Sequence, residues 1–514
     1  MPTPAIATVR GDWRAAPLDR LLLWLAILQG SSATLSLALN LPTGQAAALA
    51  ALVTALWGAM YLVAALGLFV AFGANWLTWL VRYRLPLTLL VAGAVFSAFW
   101  SVEPRLSVER GAHLVGTTLL ALYLGLRLPL AEILRVSARA LALLLVASAL
   151  AAWLYPPLGL QDYQGRDVWR GVMASKNTLG FWAAVAALLF ASRAATSSAA
   201  WRIVWGVLVV FALGCLAMSV SATSALALLV AALVTGYLYA ASELRLGQVG
   251  VVVLGLIVIA LVALAFRSID TAELIGRSGD LTGRAQVWSE TWRLIRERPF
   301  GGYGYGTIWF PTAQSLAIQQ TLIDVSWTVY HAHNGLLQIA SEVGLPLTVL
   351  MLLVVAQQLV EIVWCQFRRP QPGVLFVLGF TVALLVSNYA EARLLVNRDL
   401  FWIFFVTLPT SMLRQVALHA EHAPGPLGAA REPLPTERGA RLAARLALKG
   451  RRYARRAAAS RPAAAIAAAN ALAIAPPRTI APTSDASAGP AVAPATAPGT
   501  RSRGDSPPTA EDVP

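Results

Sequence analysis

Long apolar runs alternate with short polar connections along most of this chain, and one long connection breaks the rhythm. The apolar runs fall near residues 20–40, 47–72, 86–100, 111–126, 138–155, 178–192, 202–218, 223–241, 249–266, 334–364, 373–390 and 398–416. A helix crossing a bilayer needs about 20 mostly apolar residues, so the pattern predicts an all-α polytopic membrane protein with about 12 transmembrane helices. The 47–72 and 334–364 runs exceed that length, which predicts tilt, a kink or an interfacial extension. The first run is long and lacks a small-residue cleavage site, so it reads as a retained span rather than a cleavable signal. Between the ninth and tenth runs lies a polar stretch from about Arg267 to Asn334. Loops beyond roughly 15 residues are usually functional or disordered. This one is rich in Trp, Tyr and Gly, which predicts order.

Composition agrees with the pattern. At 58% hydrophobic and 13% charged residues, with a mean hydropathy of +0.65, the chain is too apolar for a soluble protein of 514 residues. From about residue 417 the composition shifts to Ala, Pro, Arg, Ser and Thr. This divides the chain into a membrane domain, 1–416, and a basic, largely disordered cytoplasmic tail, 417–514. Within the tail, Arg438, Arg441, Arg445, Lys449, Arg452 and Arg456 recur at helical spacing with Leu442 and Leu446 between them. The segment 438–457 is either an amphipathic helix on anionic membrane lipids or a solvated basic linker. The tail carries +6 of the net charge of +15, so the charge is no argument for nucleic acid.

Loop charges predict the orientation. With the amino terminus inside, the cytoplasmic connections carry Arg82, Arg84, Arg127, Arg135, Arg193, Arg202, Arg245, Arg368, Arg369 and Arg414. Arginines also occur in 101–110, 156–177, 267–333 and 391–397, which this orientation places outside. Translocated arginines are disfavoured, so these four segments point to an anionic ligand. Cys215 and Cys365 fall in or beside apolar runs, against a disulfide.

Three outer segments hold candidate chemistry. At Arg170-Gly171…Ser175-Lys176-Asn177-Thr178 a loop enters a helix. Asn177 and Thr178 are candidate caps there, and a helix start beside a cation attracts anions; alternatively Lys176 and Arg170 only snorkel to the interface. The second is Asp280-Leu281-Thr282-Gly283-Arg284, followed by Trp288 and the turn Pro299-Phe300-Gly301-Gly302-Tyr303-Gly304-Tyr305-Gly306. Arg284 offers a planar fork to phosphate, with Asp280 to hold it, and the glycines permit close backbone approach to a ligand. No Gly-Lys-Ser/Thr follows, so this is not a phosphate-binding Walker loop.

The third is His331-Ala332-His333-Asn334, which holds two of the five histidines. Imidazole is the usual carrier of a proton near neutral pH. Two histidines at i and i+2 also fit a metal, but no cysteine or adjacent carboxylate cluster accompanies them. Glu342 is placed to orient an imidazole or to fix an arginine. Asn388, Glu391, Arg393 and Arg398, between the last two spans, complete the set.

These segments, in this order, resemble the O-antigen ligase and O-antigen polymerase superfamily, most closely its exopolysaccharide polymerase branch. The resemblance runs from about 86 to 415. It rests on Phe99-Trp100-Ser101 with Pro104, Arg170-Gly171…Lys176-Asn177-Thr178-Leu179-Gly180, Thr282-Gly283-Arg284…Trp288, Pro299-Phe300-Gly301…Gly304-Tyr305-Gly306 and His333-Asn334…Glu342-Val343-Gly344. Where much of the superfamily reads Asn-Pro-Asn, this chain reads Ser175-Lys176-Asn177, which is more similar to polymerases.

The resemblance implies a GT-C-like glycosyltransferase architecture in the bacterial inner membrane, with one large catalytic periplasmic loop, 267–333. It implies an undecaprenyl-diphosphate-linked glycan donor, a glycan or lipid-linked acceptor, no cofactor and no metal. Arg170 and Arg284 would bind the diphosphate and His333 would activate the acceptor hydroxyl. Lys176, Asn177, Asp280, Asn334, Glu342, Glu391 and Arg393 would support them. A flippase and a chain-length regulator are the implied partners. The alternatives are an O-antigen ligase acting on lipid A-core and, in another class, a polysaccharide-related transporter or flippase. Against a transporter stand the absence of half-to-half repetition and the scarcity of ionisable residues inside the spans.

Overall fold

The computed structural model describes residues 17–422 apart from 39, 244–247, 275–279, 310–311, 323–328 and 369. The tail beyond His422, with the helix expected at 438–457, lies outside the described residues. The chain begins with α1 (Pro17–Gly30), α2 (Ala33–Ala38), α3 (Thr43–Phe72), α4 (Asn75–Tyr83) and α5 (Leu85–Phe96), which tightens into a 3-10 turn at Ser97–Trp100. Then come α6 (Pro104–Arg127), α7 (Leu130–Leu154), the single turn α8 (Pro156–Gly159), and an antiparallel hairpin of β1 (Leu160–Tyr163) and β2 (Arg166–Trp169). The helices α9 (Lys176–Ala195), α10 (Ala199–Met218), α11 (Ala222–Glu243) and α12 (Gln248–Leu274) follow. After them stand α13 (Asp280–Glu297), α14 (Ala313–Thr321), α15 (Gly335–Arg368), α16 (Pro372–Ala390) and α17 (Leu400–His422).

Among the described residues, seven helices are long and apolar enough to cross a membrane: α3, α7, α9, α10, α11, α15 and α16. The pair α4 and α5, bent by 99°, makes an eighth if it counts as one broken span. The protein is therefore an all-α, multi-pass membrane protein. The run at 20–40 is divided, because α1 stops at Gly30 and Ser32 takes a left-handed φ of 66°. A Cβ on Gly30 would lie 2.9 Å from the backbone nitrogen of Leu400, so glycine lets α17 start against this break. Of the tilt, kink or extension expected for 334–364, the structure shows a kink, at Gly344 with φ 83°. There Leu345 N–H leaves the helical ladder and donates to the Pro299 carbonyl at 2.8 Å.

An aromatic cluster of Phe181 and Trp182 (α9), Phe380 (α16), and Phe401 and Phe404 (α17) ties three helices together. Elsewhere small residues let backbones close up, as helices without a hydrophobic drive between them require. At Gly125, for example, a Cβ would meet Thr410 at 2.8 Å.

The segment 267–333 is not an irregular loop. Helix α12 runs on to Leu274, and α13, α14 and the glycine turn fold around a small core of their own. That core contains Val287, Leu294, Tyr303, Ile308, Trp309, Ile318, Val329 and Ala332. It holds the histidine segment against the membrane bundle at the start of α15.

Candidate functional site

The turn Gly301–Gly306 is bolted on two sides. Tyr303 N–H and Gly304 N–H donate to the Ser341 and Glu342 carbonyls at 3.0 and 2.8 Å. On the other side Val102 N–H donates to the Tyr303 carbonyl at 2.9 Å, and Tyr305 N–H to Ser97 Oγ at 2.8 Å. Gly304 has φ 104°, and a Cβ there would lie 2.1 Å from Ser101 Oγ. The close approach expected of these glycines is thus to the protein's own helices.

Asn334 opens α15, its side-chain oxygen accepting from Leu336 N–H and Leu337 N–H at 3.1 Å each. Just before it, His333 adopts φ 50°, a left-handed conformation uncommon outside glycine. Three contacts hold that backbone. Trp288 Nε1 donates to the His333 carbonyl at 3.3 Å, and His333 N–H donates to His331 Nδ1 at 3.1 Å. Ala332 N–H donates to Gln338 Oε1 at 2.8 Å. Gln338 in turn donates to Glu342, whose other oxygen accepts from Gly306 N–H at 3.0 Å. Glu342 therefore reaches the histidine segment through Gln338 and the backbone rather than through an imidazole, and the Arg110 guanidinium acts on its carboxyl.

Both rings face Glu391, which the chain delivers from the end of α16. Its Oε2 lies 3.6 Å from His331 Nε2 and 3.9 Å from His333 Nδ1, while its Oε1 accepts from Asn177 Nδ2 at 2.7 Å. Arg393, buried, donates to Thr178 Oγ1 at 3.4 Å and lies over the Phe401 ring at 4.4 Å. Burial alone would raise the Glu391 carboxyl, but Arg393 and then the two histidines and Arg284 hold it at about 2. Burial pushes His333 down to about 3, helped by His331 and Arg284 and opposed by Glu391. His331 is lowered as well, chiefly by burial. At neutral pH the site is thus a carboxylate between two neutral imidazoles, flanked by guanidiniums.

The structure brings Asn177, Arg284, His331, His333, Glu391 and Arg393 together. Asp280 begins α13, and its side chain, like that of Thr282, lies outside the described residues. Lys176 points elsewhere: its Nζ donates to the Val220 carbonyl at 3.3 Å and lies 3.3 Å from the centre of the Tyr163 ring. Arg170 donates to the Leu158 and Pro157 carbonyls, both at 3.0 Å. The helix cap is Ser175, which accepts from Thr178 N–H at 3.2 Å, and not Asn177, whose amide serves Glu391. Gln338 and Ser221, which donates to Asn177 Oδ1 at 3.1 Å, carried no motif in the sequence. Gln338 could have been found from its position four residues before Glu342, on one face of a helix.

Residues 207–352 match the O-antigen ligase family model. That stretch of the chain is similar to the O-antigen ligase family. The matched segment contains Ser221, Arg284, His331, His333 and Glu342; Asn177, Glu391 and Arg393 lie outside it. A search of curated proteins returned no match.

His331, His333 and Glu391 present one ligand atom each within 4.8 Å of one another, a spacing that a divalent ion could bridge. The hydrogen bonds argue against that use. His331 Nδ1 already accepts the His333 N–H, so the proton of the neutral ring sits on Nε2. Binding a metal through Nε2 would remove the ring's last proton or break that bond. Two nearby guanidiniums further favour an anion over a dication.

Proposed function

We propose that the protein polymerises lipid-linked glycan repeat units at the periplasmic face of the bacterial inner membrane, through about 12 spans and without a metal. The observation that carries this reading is the buried Glu391 set against His333 with Arg284 and Arg393 beside it. The donor is an undecaprenyl-diphosphate-linked glycan and the acceptor a sugar hydroxyl.

In this mechanism Glu391 accepts from His333 Nδ1–H, which leaves Nε2 as the proton acceptor, the logic of a carboxylate-oriented imidazole base. The 3.9 Å separation shortens when the donor binds, as catalytic hydrogen bonds in unliganded sites commonly do. Nε2 takes the acceptor hydroxyl proton while the oxygen attacks the anomeric carbon and the diphosphate departs from the opposite side, which inverts that centre. Arg284 and Arg393 stabilise charge on the departing diphosphate. Arg170 commits two donors to loop carbonyls and offers the rest of its fork to the phosphates.

Low basicity suits the resting site and not the reaction, since a base works best when its pKa is near the working pH. Burial is the main cause of that low basicity; the anionic donor works against it by favouring the protonated ring, so substrate binding raises His333 and switches the base on.

The second reading is ligation of finished chains to lipid A-core, which the description of the matched family favours. Deleting the gene and extracting the carrier lipid separates the two. Single repeat units on the carrier are expected, whereas long carrier-linked chains would establish a ligase.

A further inference from the structure

Three buried serines that none of the chemistry above uses lie where α10 passes into α11: Ser219 and Ser221 in the connection and Ser224 in the first turn of α11. They sit against the first turn of α9, where Asn177 projects toward Glu391. Ser221 Oγ donates to Asn177 Oδ1 at 3.1 Å. Ser224 Oγ lies 2.8 Å from Ser221 Oγ and 3.4 Å from the Asn177 carbonyl, and its single proton is shared between these two acceptors. The backbone of the connection is held from the same helix, by Lys176 Nζ on the Val220 carbonyl.

Gly180, one turn after Asn177, explains how the serines come so close. A Cβ there would lie 2.7 Å from both Ser219 Oγ and Ser221 Cβ, and 3.0 Å from Ser224 Oγ. Only a residue without a side chain leaves room for the serines beside the asparagine.

An asparagine amide presents a donor at one end and an acceptor at the other, and what it meets at one end decides what it offers at the other. With Oδ1 occupied by Ser221, Nδ2 faces Glu391 Oε1 at 2.7 Å. That fixes the carboxylate plane and leaves Oε2 for the histidines. The reversed amide would set two oxygens against each other at the same separation and turn Glu391 away.

We propose that Ser221 is a positioning residue for the transfer reaction: it sets the Asn177 amide, which aims Glu391 Oε2 at His333. The inference rests on His333 acting as the base. Its effect is on the base and not on donor contacts, so kcat should respond while KM for the donor does not. Loss of the Asn177 donor removes a partner of the ionised Glu391, which makes the carboxylate easier to protonate. The acid limb of the rate profile therefore moves to higher pH.

The test uses full-length enzyme in membranes and donor lipid extracted from cells lacking the gene. Ser221→Ala should lower kcat about 10-fold, the order expected for one hydrogen bond, with an unchanged donor KM and an acid limb shifted upward. Ser221→Thr, which keeps the hydroxyl, should restore both. Gly180→Ala should reproduce the alanine phenotype by pushing the serines off α9. A wild-type kcat and acid limb in Ser221→Ala, beside an inactive His333→Ala, would overturn this inference and leave the base assignment standing. Equal loss in the Ala and Thr variants would reduce Ser221 to packing and also overturn it. A fully active His333→Ala would sink both.

Discussion

Two glutamates at opposite ends of the bundle, one partly and one fully buried, are used in opposite ways. Glu361, near the end of α15, receives Arg84 at 2.8 Å and a hydrogen bond from Gln357 at 2.9 Å. Arg84 is only 3% exposed and stands between α4 and α5, where the chain bends by 99°. This is a closed pair that pins a bent segment to a long helix. Glu391 is more deeply buried, but among the described residues its polar contacts within 4.0 Å are an amide and two imidazoles rather than a guanidinium. Arg393 and Arg284 act on it through space. Closing a charge pair stabilises the fold but uses up both charges, whereas holding the arginines one step away leaves their donors for an anion.

The largest consequence concerns the closed pair. Arg84→Ala leaves the partly buried Glu361 without its partner; breaking a fully buried pair costs about 3–5 kcal/mol, and this one costs up to that amount. Unfolding in detergent should show that loss, with activity per folded molecule unchanged. Glu391→Gln should do the reverse: folding is kept, while turnover falls about 10²-fold or more because the imidazole loses its orienting anion. Equal effects of the two variants on stability would dissolve the distinction.

Next in size is Arg284→Ala, which removes a charge-assisted contact worth about 1.5–3 kcal/mol and should weaken donor binding by that amount. Arg284→Lys should recover only part of it, because an ammonium lacks the bidentate fork. Binding of the donor lipid to vesicle-embedded enzyme measures both.

A smaller effect is read from pH. With His333 held near 3, its base form persists well below the ordinary histidine range around 6.5. Hence kcat/KM, which reports the free enzyme, should not fall between pH 7.5 and 5.5 through this group. The acid limb of kcat should lie at higher pH than that of kcat/KM, because the bound diphosphate favours the protonated ring. The opposite order would mean that the donor does not approach His333.

The sequence showed what hydropathy and residue type can show. The long apolar runs became helices, the kink in 334–364 lies at Gly344, and Asn334 caps α15. The glycine turn was visible as a turn, but its purpose was not. Its positive φ angles serve packing against Ser101 and Glu342, which are distant in sequence. Arg284 and Glu391 were legible as chemistry, yet nothing local ties them to one another across α13 and the end of α16. Ser175 outcompeted Asn177 as the cap because Asn177 is drawn to Glu391, 214 residues away. Ser221 left no trace, since a serine in a short apolar connection looks like any other.

The central claim is that His333 moves the proton and the arginines hold the donor. Donor binding and single-turnover transfer, measured together on His333→Ala and His331→Ala, test it most directly. The account predicts that both variants bind donor, that His333→Ala transfers roughly 10²–10⁴-fold more slowly, and that His331→Ala is affected far less. A folded His333→Ala enzyme that transfers at the normal rate would contradict it.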